Sequence, residues 1–253
     1  MTQTMNPNNK IHKSIKWGIP LFDHATSGLP AFNSSVIETP NYHTGILVLG
    51  HYLYQGLKEG SKVALVTFDS PTMFLENFLQ WNINFMPYIE SEQMIFLNYN
   101  PSVGTEIALA HNYLGLFSEI TRLCGNQAPD RIAFHQVDTL ISLGNMVLMN
   151  TCVQKFNHAS NDIATKKTSV LGQFVQFGDQ THHDLGIAFQ KAVPGYFSLS
   201  HPPGSRPETY EFNTKKLPWH EYDQNPVKVE LEEGFGFLKD GENESSNLCK
   251  IAS

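Results

Sequence analysis

Between Val36 and Leu199 the chain alternates short apolar runs of strand length with longer segments whose apolar residues recur at helical spacing. That alternation limits the fold more than any other feature. Val36-Ile37-Glu38 reads as a short strand ending at Thr39-Pro40-Asn41. Residues 44–59 follow as a helix, because Leu47, Val48, Tyr52 and Leu53 share a face and Gly60 is a natural stop. Residues 62–68 (KVALVTF) have the unbroken apolar composition of a strand covered on both faces. Ser70 as N-cap and Pro71 in the first turn start the next helix, with Phe74, Phe78 and Trp81 toward the core. Residues 93–98, 131–134, 169–175 and 195–199 are further strands, and residues 104–123 and 142–156 are helices. After Pro207 the pattern changes to strands over 208–213, 227–231 and 235–238 joined by turn-rich loops, which predicts an antiparallel edge. The expected architecture is an α/β three-layer sandwich with a mainly parallel central sheet and C-terminal antiparallel strands. Ligands of such sheets sit beyond the carboxyl ends of the strands. Residues 38–45, Asp69-Ser70 and His135-Gln136 therefore carry the most functional weight.

Composition narrows the class further. The 253 residues are 41% hydrophobic and 11% aromatic, enough for one domain with a sizeable core and no disulfide scaffold. Cys124, Cys152 and Cys249 are widely spaced, with no CxxC pair and no His partner at a catalytic spacing, which fits reduced thiols and a cytoplasmic location. The net charge of −7 and the lack of a basic run argue against nucleic acid as a partner. No stretch is long and apolar enough for membrane insertion, and residues 1–14 lack the apolar core of a secretory signal. Residues 1–14 and 239–253 are polar and expected to be poorly ordered, leaving one domain over 15–238.

Several short motifs, in order, resemble the KaiC/RecA-like P-loop ATPases. Trp17-Gly18-Ile19-Pro20-Leu21-Phe22-Asp23 followed by Ser27-Gly28-Leu29-Pro30 is similar to the opening GIPGFDELLGGGLP of KaiC-like domains. Leu53-Tyr54-Gln55-Gly56-Leu57 matches their FLYEGL, and Val66-Thr67-Phe68-Asp69-Ser70 stands where that family has a strand ending in two acidic residues. The likeness runs over roughly residues 15–238 and implies a RecA-like fold.

The catalytic positions depart from the family. A P-loop reads G-x-x-x-x-G-K-[ST]. Its signature positions fall here on Thr39, Thr44, Gly45 and Ile46, with Pro40 and His43 between them, and no lysine lies between Lys16 and Lys58. Lysine neutralises triphosphate charge, glycine amides cradle the phosphates, and a hydroxyl with a Walker B aspartate holds Mg²⁺. Arg131-Ile132-Ala133-Phe134-His135-Gln136 resembles the family's RVVIDS, with His135 in place of the metal-organising aspartate and Asp138 too late to replace it. The catalytic acidic pair is reduced to Asp69-Ser70. In KaiC-like rings a neighbouring subunit reaches the phosphate from a KLRG stretch before a His. Thr214-Lys215-Lys216-Leu217 and His220 occupy that stretch here, a partial trans element or simply a solvated face.

Other candidates are weaker. His182-His183-Asp184 with Asp179 matches no metal signature and reads as a polar loop after a strand. His43 and His135 are expected to meet at the relic nucleotide site, as anion or metal ligands or as filler for lost ligands. Glu230-Leu231-Glu232-Glu233 reads as solvated surface, and Tyr42, Trp81, Phe85, Trp219 and Tyr222 are core residues or partner anchors. The resemblance and its losses together imply a catalytically inactive pseudo-ATPase without bound ATP or Mg²⁺. It would act as a protein-interaction or assembly subunit in a homo- or hetero-oligomer, such as a ring partner, a regulator or an adaptor in a secretion or motility apparatus. The alternative is a regulator or sensor that binds ATP without the P-loop lysine, through amides at the N-terminus of the Thr44 helix.

Overall fold

The computed structural model describes residues 14–98, 112–141, 143, 145–164, 167–217, 225–232 and 236–239. In chain order, β1 (Ser14–Ile15) pairs antiparallel with β2 (Leu29–Pro30) around a short helix, α1 (Pro20–Thr26). Then come β3 (Ser34–Thr39), α2 (Tyr42–Lys58), β4 (Val63–Thr67), α3 (Pro71–Gln80), α4 (Met86–Glu90) and β5 (Met94–Asn98). They are followed by α5 (Tyr113–Leu123), β6 (Arg131–Phe134), a 3-10 turn over Val137–Leu140, α6 (Met146–Ala164), β7 (Ser169–Val175), α7 (Gln180–Ala192) and β8 (Gly195–Ser200). Strands β9 (Thr209–Lys216), β10 (Val227–Glu232) and β11 (Gly236–Lys239) end the described chain.

All strands from β3 onward join one sheet in the order β11-β10-β9-β8-β3-β7-β6-β4-β5. Neighbours from β8 across to β5 are parallel, and β8-β9, β9-β10 and β10-β11 are antiparallel. The parallel centre and antiparallel C-terminal edge expected from the sequence are both present. The apolar runs are unbroken because helices cover both faces. On β4, Val63 and Leu65 join the core under α1, α2 and α3, while Ala64 and Val66 join the core under α5, α6 and α7.

The Trp17 motif is a packing device. Trp17 is fully buried, its Nε1 donates to Thr26 Oγ1 at 3.1 Å, and its ring meets Phe22, Phe197 and Phe212 edge-on at 5.7, 4.9 and 5.8 Å. The amides of Trp17 and Gly18 donate to the two carboxylate oxygens of Asp23 at 2.7 and 3.2 Å. Gly18 has φ 80°, and a Cβ there would lie 2.6 Å from the His51 carbonyl oxygen, so both conformation and space require glycine. Buried Arg131 fastens the same corner: its guanidinium donates to the carbonyls of Lys16 and Tyr52 at 2.8 and 2.9 Å and pairs with Glu59 at 2.5 Å.

Several boundaries differ from expectation for local reasons. The helix expected over 44–59 starts two residues earlier at Tyr42, because Asn41 caps it. Ser70 stands at the N-cap of α3, yet its hydroxyl makes no cap hydrogen bond. The helix expected over 142–156 begins at Met146 and continues to Ala164, carried by the buried stripe Phe156, Ala159, Ser160 and Ile163. Of the helix expected over 104–123, residues 104–111 lie outside the described residues. Residues 182–184 are helical rather than loop: Asp179 Oδ1 accepts from the His182 amide at 2.9 Å, and Leu185, Ala188 and Phe189 give α7 its buried face. Ser14 and Lys239, one residue beyond each end of the expected domain, lie in strands.

Candidate functional site

The β3–α2 connection is where the resemblance places a phosphate loop, and it is short. Thr39 ends the strand and Tyr42 begins the helix, leaving only Pro40 and Asn41 between them. Asn41, at φ −157° and ψ 169°, accepts from the Thr44 amide through Oδ1 at 2.9 Å, and its carbonyl accepts from the Gly45 amide at 3.3 Å and from Thr44 Oγ1 at 3.1 Å. The stretch expected to cradle phosphate is thereby wound into the first turn of α2 and satisfied by its own chain. Thr39, Thr44, Gly45 and Ile46 are all buried, Pro40 is half-buried, and Tyr42 and His43 are exposed.

Gln173, fully buried in β7, secures this arrangement. Its Nε2 donates to Thr39 Oγ1 at 2.8 Å, and its Oε1 accepts from the Gln136 amide at 3.2 Å. A Cβ on Gly45 would lie 2.5 Å from Gln173 Nε2. Gly45, where the resemblance puts the P-loop lysine, is thus pressed against a side chain that already holds two strand ends. Gly45→Lys, the simplest attempt to restore the motif, is expected to lower stability by about 1–3 kcal/mol through overpacking. It should also leave the melting temperature insensitive to ATP with Mg²⁺. Melting curves of the variant with and without nucleotide test both statements.

At the ends of β4 and β6, Asp69 and His135 face each other. Asp69 Oδ2 lies 3.4 Å from His135 Nδ1 and 3.5 Å from Gln136 Nε2. The histidine contact is not aligned for a hydrogen bond, and neither ring nitrogen of the buried His135 has a partner. Its ring packs edge-on against Phe74 at 4.9 Å and tilts toward Tyr42 at 6.1 Å. Burial pushes its pKa down to about 3, so the imidazole is neutral at physiological pH. Burial also raises the Asp69 carboxyl. His43 does not join them, because its exposed ring stacks at a tilt on Trp81 at 5.2 Å.

Beyond β6 the chain turns through Gln136, in the left-handed region at φ 56°, into the 3-10 turn that carries Asp138. Asp138 is 9% exposed, and its buried Oδ1 meets no donor. Its Oδ2 is 4.0 Å from His182 Nε2, and His182 Nδ1 is 2.7 Å from Asp179 Oδ2. Burial pushes the Asp138 pKa up to about 6, opposed in part by the backbone amides of Asp138 and Thr139 and by His182. The exposed rings of Tyr42 and Phe177 meet at 6.1 Å, and Phe177 packs edge-on against His182 at 4.9 Å. Burial and the carboxylates of Asp138 and Asp69 raise the Tyr42 phenol, which places its hydroxyl in the field of both.

The remaining candidates separate. His183 is exposed, and Asp184 accepts from Gln180 Nε2 at 2.8 Å on the surface of α7. Among the described residues no three His, Cys, Asp or Glu side chains are placed to hold a metal ion. Lys216 Nζ donates to the carbonyls of Gln190 and Lys191 at 2.9 and 3.4 Å, at the C-terminal end of α7, where the helix dipole favours a cation. Lys215 is exposed on β9, and His220, Trp219, Tyr222 and Cys249 lie outside the described residues. Trp81, Phe85, Cys124 and Cys152 are buried, and Glu230 pairs with Arg206. No helix of the described residues is long and apolar enough to cross a membrane. Gln173 and Phe177 were not singled out from the sequence. Gln173 had a signal, a polar residue inside the apolar strand SVLGQFV, while an aromatic in a loop gives none.

No family model matches the chain, and no curated protein matches its sequence. Among solved structures it is similar to a KaiC-like protein from the hyperthermophilic archaeon Pyrococcus horikoshii OT3, with a TM-score of 0.72 at 12% identity. The match covers 90% of this chain and 99% of that one. At that identity the likeness shows a KaiC/RecA-like fold and carries no activity with it.

Proposed function

We propose that the chain is a catalytically inactive, RecA/KaiC-like pseudo-ATPase that serves as a protein-binding or assembly subunit of a larger cytoplasmic complex. The observation that carries this reading is the closed β3–α2 turn. Asn41 takes the amide of Thr44 and Gln173 fills the space beside Gly45. A triphosphate with Mg²⁺ needs a cationic side chain, unengaged amides and a hydroxyl at one place. Here those positions hold Gly45, a self-capped helix and buried Ile46. The carboxylates of Asp69, Asp138 and Asp179, beyond the adjacent strands, would repel phosphate. The exposed Tyr42–Phe177 pair at the same strand ends supplies aromatic surface of the kind enriched in protein interfaces.

Thermal melting of the full chain with and without ATP and Mg²⁺ tests the reading. The expected result is superimposable curves. A nucleotide present at a hundred times its dissociation constant stabilises a protein by about 2.7 kcal/mol, so a saturable upward shift would establish a nucleotide-binding regulator instead.

A further inference from the structure

Helices α5 and α6 pack against each other over one face of the sheet, and a cavity of about 550 Å³ opens between them. Its wall is mostly apolar and includes Tyr113, Leu114 and Ala159. Ala159 is the small member of the buried stripe Phe156, Ala159 and Ile163, so space opens where its side chain ends. Leu114 is left 53% exposed, a cost that an apolar ligand removes. A second lobe of about 210 Å³ adjoins the first at Leu114 and Ala159 and adds Phe117 and Ile163 to the apolar wall. Cavities of this size suit small molecules.

The polar groups of the first lobe come mainly from one face of α6, as Gln154, Lys155 and His158. Lys155 and His158 are exposed, neither has a hydrogen bond or ion pair among the described residues, and no described carboxylate lines this lobe. The chain as a whole carries a net charge of −7, so an unpaired cation beside an apolar cavity runs against its trend. The second lobe differs, because Arg122 there is bonded to Glu119 and Asp162 also lines it. The start of α5 is committed as well. Asn112 Oδ1 accepts from the Gly115 amide at 3.0 Å, and the Tyr113 hydroxyl donates to the Leu140 carbonyl at 2.7 Å. Lys155 and His158 are therefore the groups left to set the charge of a ligand.

We infer that the α5–α6 cavity binds a free, single-chain amphipathic carboxylate, with its head at Lys155 and His158 and its alkyl chain over Leu114 and Ala159 toward Phe117 and Ile163. An alkyl chain needs no polar partner and is favoured by the apolar wall, while the carboxylate takes the ammonium of Lys155 and a ring N–H of His158. A nucleotide or sugar phosphate would bring hydroxyls and ring nitrogens that this wall does not satisfy. A cationic amphiphile would be repelled by Lys155. The cavity shares no residue with the strand-end site, so the inference goes beyond the protein-binding reading and does not depend on it.

The test is a chemical-shift titration of the full ¹⁵N-labelled chain with octanoate below its micelle concentration. Octan-1-ol serves as the uncharged control and acetate as the head group alone. Octanoate should shift the Leu114, Lys155, His158 and Ala159 amides saturably, and binding should weaken by up to about fourfold for each methylene removed on the way to hexanoate. Octan-1-ol should bind about threefold more weakly, and acetate should give no saturable shift. Lys155→Glu, at an exposed position, should weaken octanoate about tenfold and leave octan-1-ol unchanged. That split separates loss of the partner of the head group from loss of fold. Ala159→Leu fills the space and should abolish binding of both probes with the rest of the spectrum unchanged. Equal binding of octanoate and octan-1-ol, acetate bound as tightly as octanoate, shifts confined to other surfaces, or no saturable shift overturn the inference. So does a dimer in sedimentation that Leu114→Glu abolishes and octanoate leaves intact, which would assign the cavity to a second copy of the chain.

Discussion

Trp17→Ala is expected to lower the stability of the chain by about 3–5 kcal/mol, the range for removing a buried tryptophan. The ring is fully buried and edge-on to three phenylalanines, and it donates a hydrogen bond to Thr26. Truncation leaves a large cavity between α1 and the β8-β9 region and deprives Thr26 of a donor. Phe22 and Phe212 are already stacked at 3.9 Å and Phe197 and Phe212 at 5.9 Å, so little mobile side chain is at hand to fill the gap. Urea unfolding measures the loss as a lower midpoint with an unchanged slope. Trp17→Phe should recover much of it, since area is restored and only the indole donor is missing. A loss under about 1 kcal/mol for the alanine variant, the level of an ordinary surface change, would mean that the motif does not hold the N-terminal segment to the sheet.

Asp138→Asn should stabilise the protein at neutral pH by up to about 3 kcal/mol, one pKa unit corresponding to about 1.4 kcal/mol. The carboxyl titrates near 3.8 when unfolded and at about 6 in the fold, where burial disfavours its charge. The native state therefore binds more protons between those values, and wild-type stability falls as pH rises through that window. The gap between variant and wild type should be near zero at about pH 4, open toward pH 6 and stay constant above pH 7. In melting temperature it amounts to roughly 5–10 °C for a chain of this length. The charged and titratable groups facing Asp138 are His182 and Tyr42, with Asp179 behind His182. Repeating the pH series in His182→Gln removes the imidazole from the balance. A wild type whose stability rises with pH over this window would contradict the assigned burial of Asp138.

A group that destabilises its own fold when ionised is out of place in a purely structural role. Asp138 lies where ligands of parallel sheets bind, beside His182. The predicted gain in stability follows from a buried carboxylate whose charge His182 and two backbone amides offset only in part.

Much of the fold was legible because its signals are local. The unbroken apolar run KVALVTF, the helical spacing of Leu47, Val48, Tyr52 and Leu53, and the Pro71 start each report on a handful of adjacent residues, and the fold reproduces them. The helix of residues 180–192 was missed because His182-His183-Asp184 masks its periodicity and its start depends on the Asp179 cap. The site was legible only as a set of absences: no lysine at Gly45, no hydroxyl at Ile46, no aspartate at His135. What replaced them was not, because Gln173 reaches Thr39 and Gly45 across more than a hundred residues of sequence.

The sequence alone determined that the chain builds a mainly parallel α/β sheet, since that follows from residue type and spacing. Only the tertiary structure decided what stands together at the strand ends. The order β3-β7-β6-β4 brings residues 42, 177, 182, 138, 135 and 69 together from distant parts of the chain. Burial there sets the charge of His135 and the cost of ionising Asp138. Burial and proximity across strands are properties of the packed sheet, and neither is written in any local stretch of sequence.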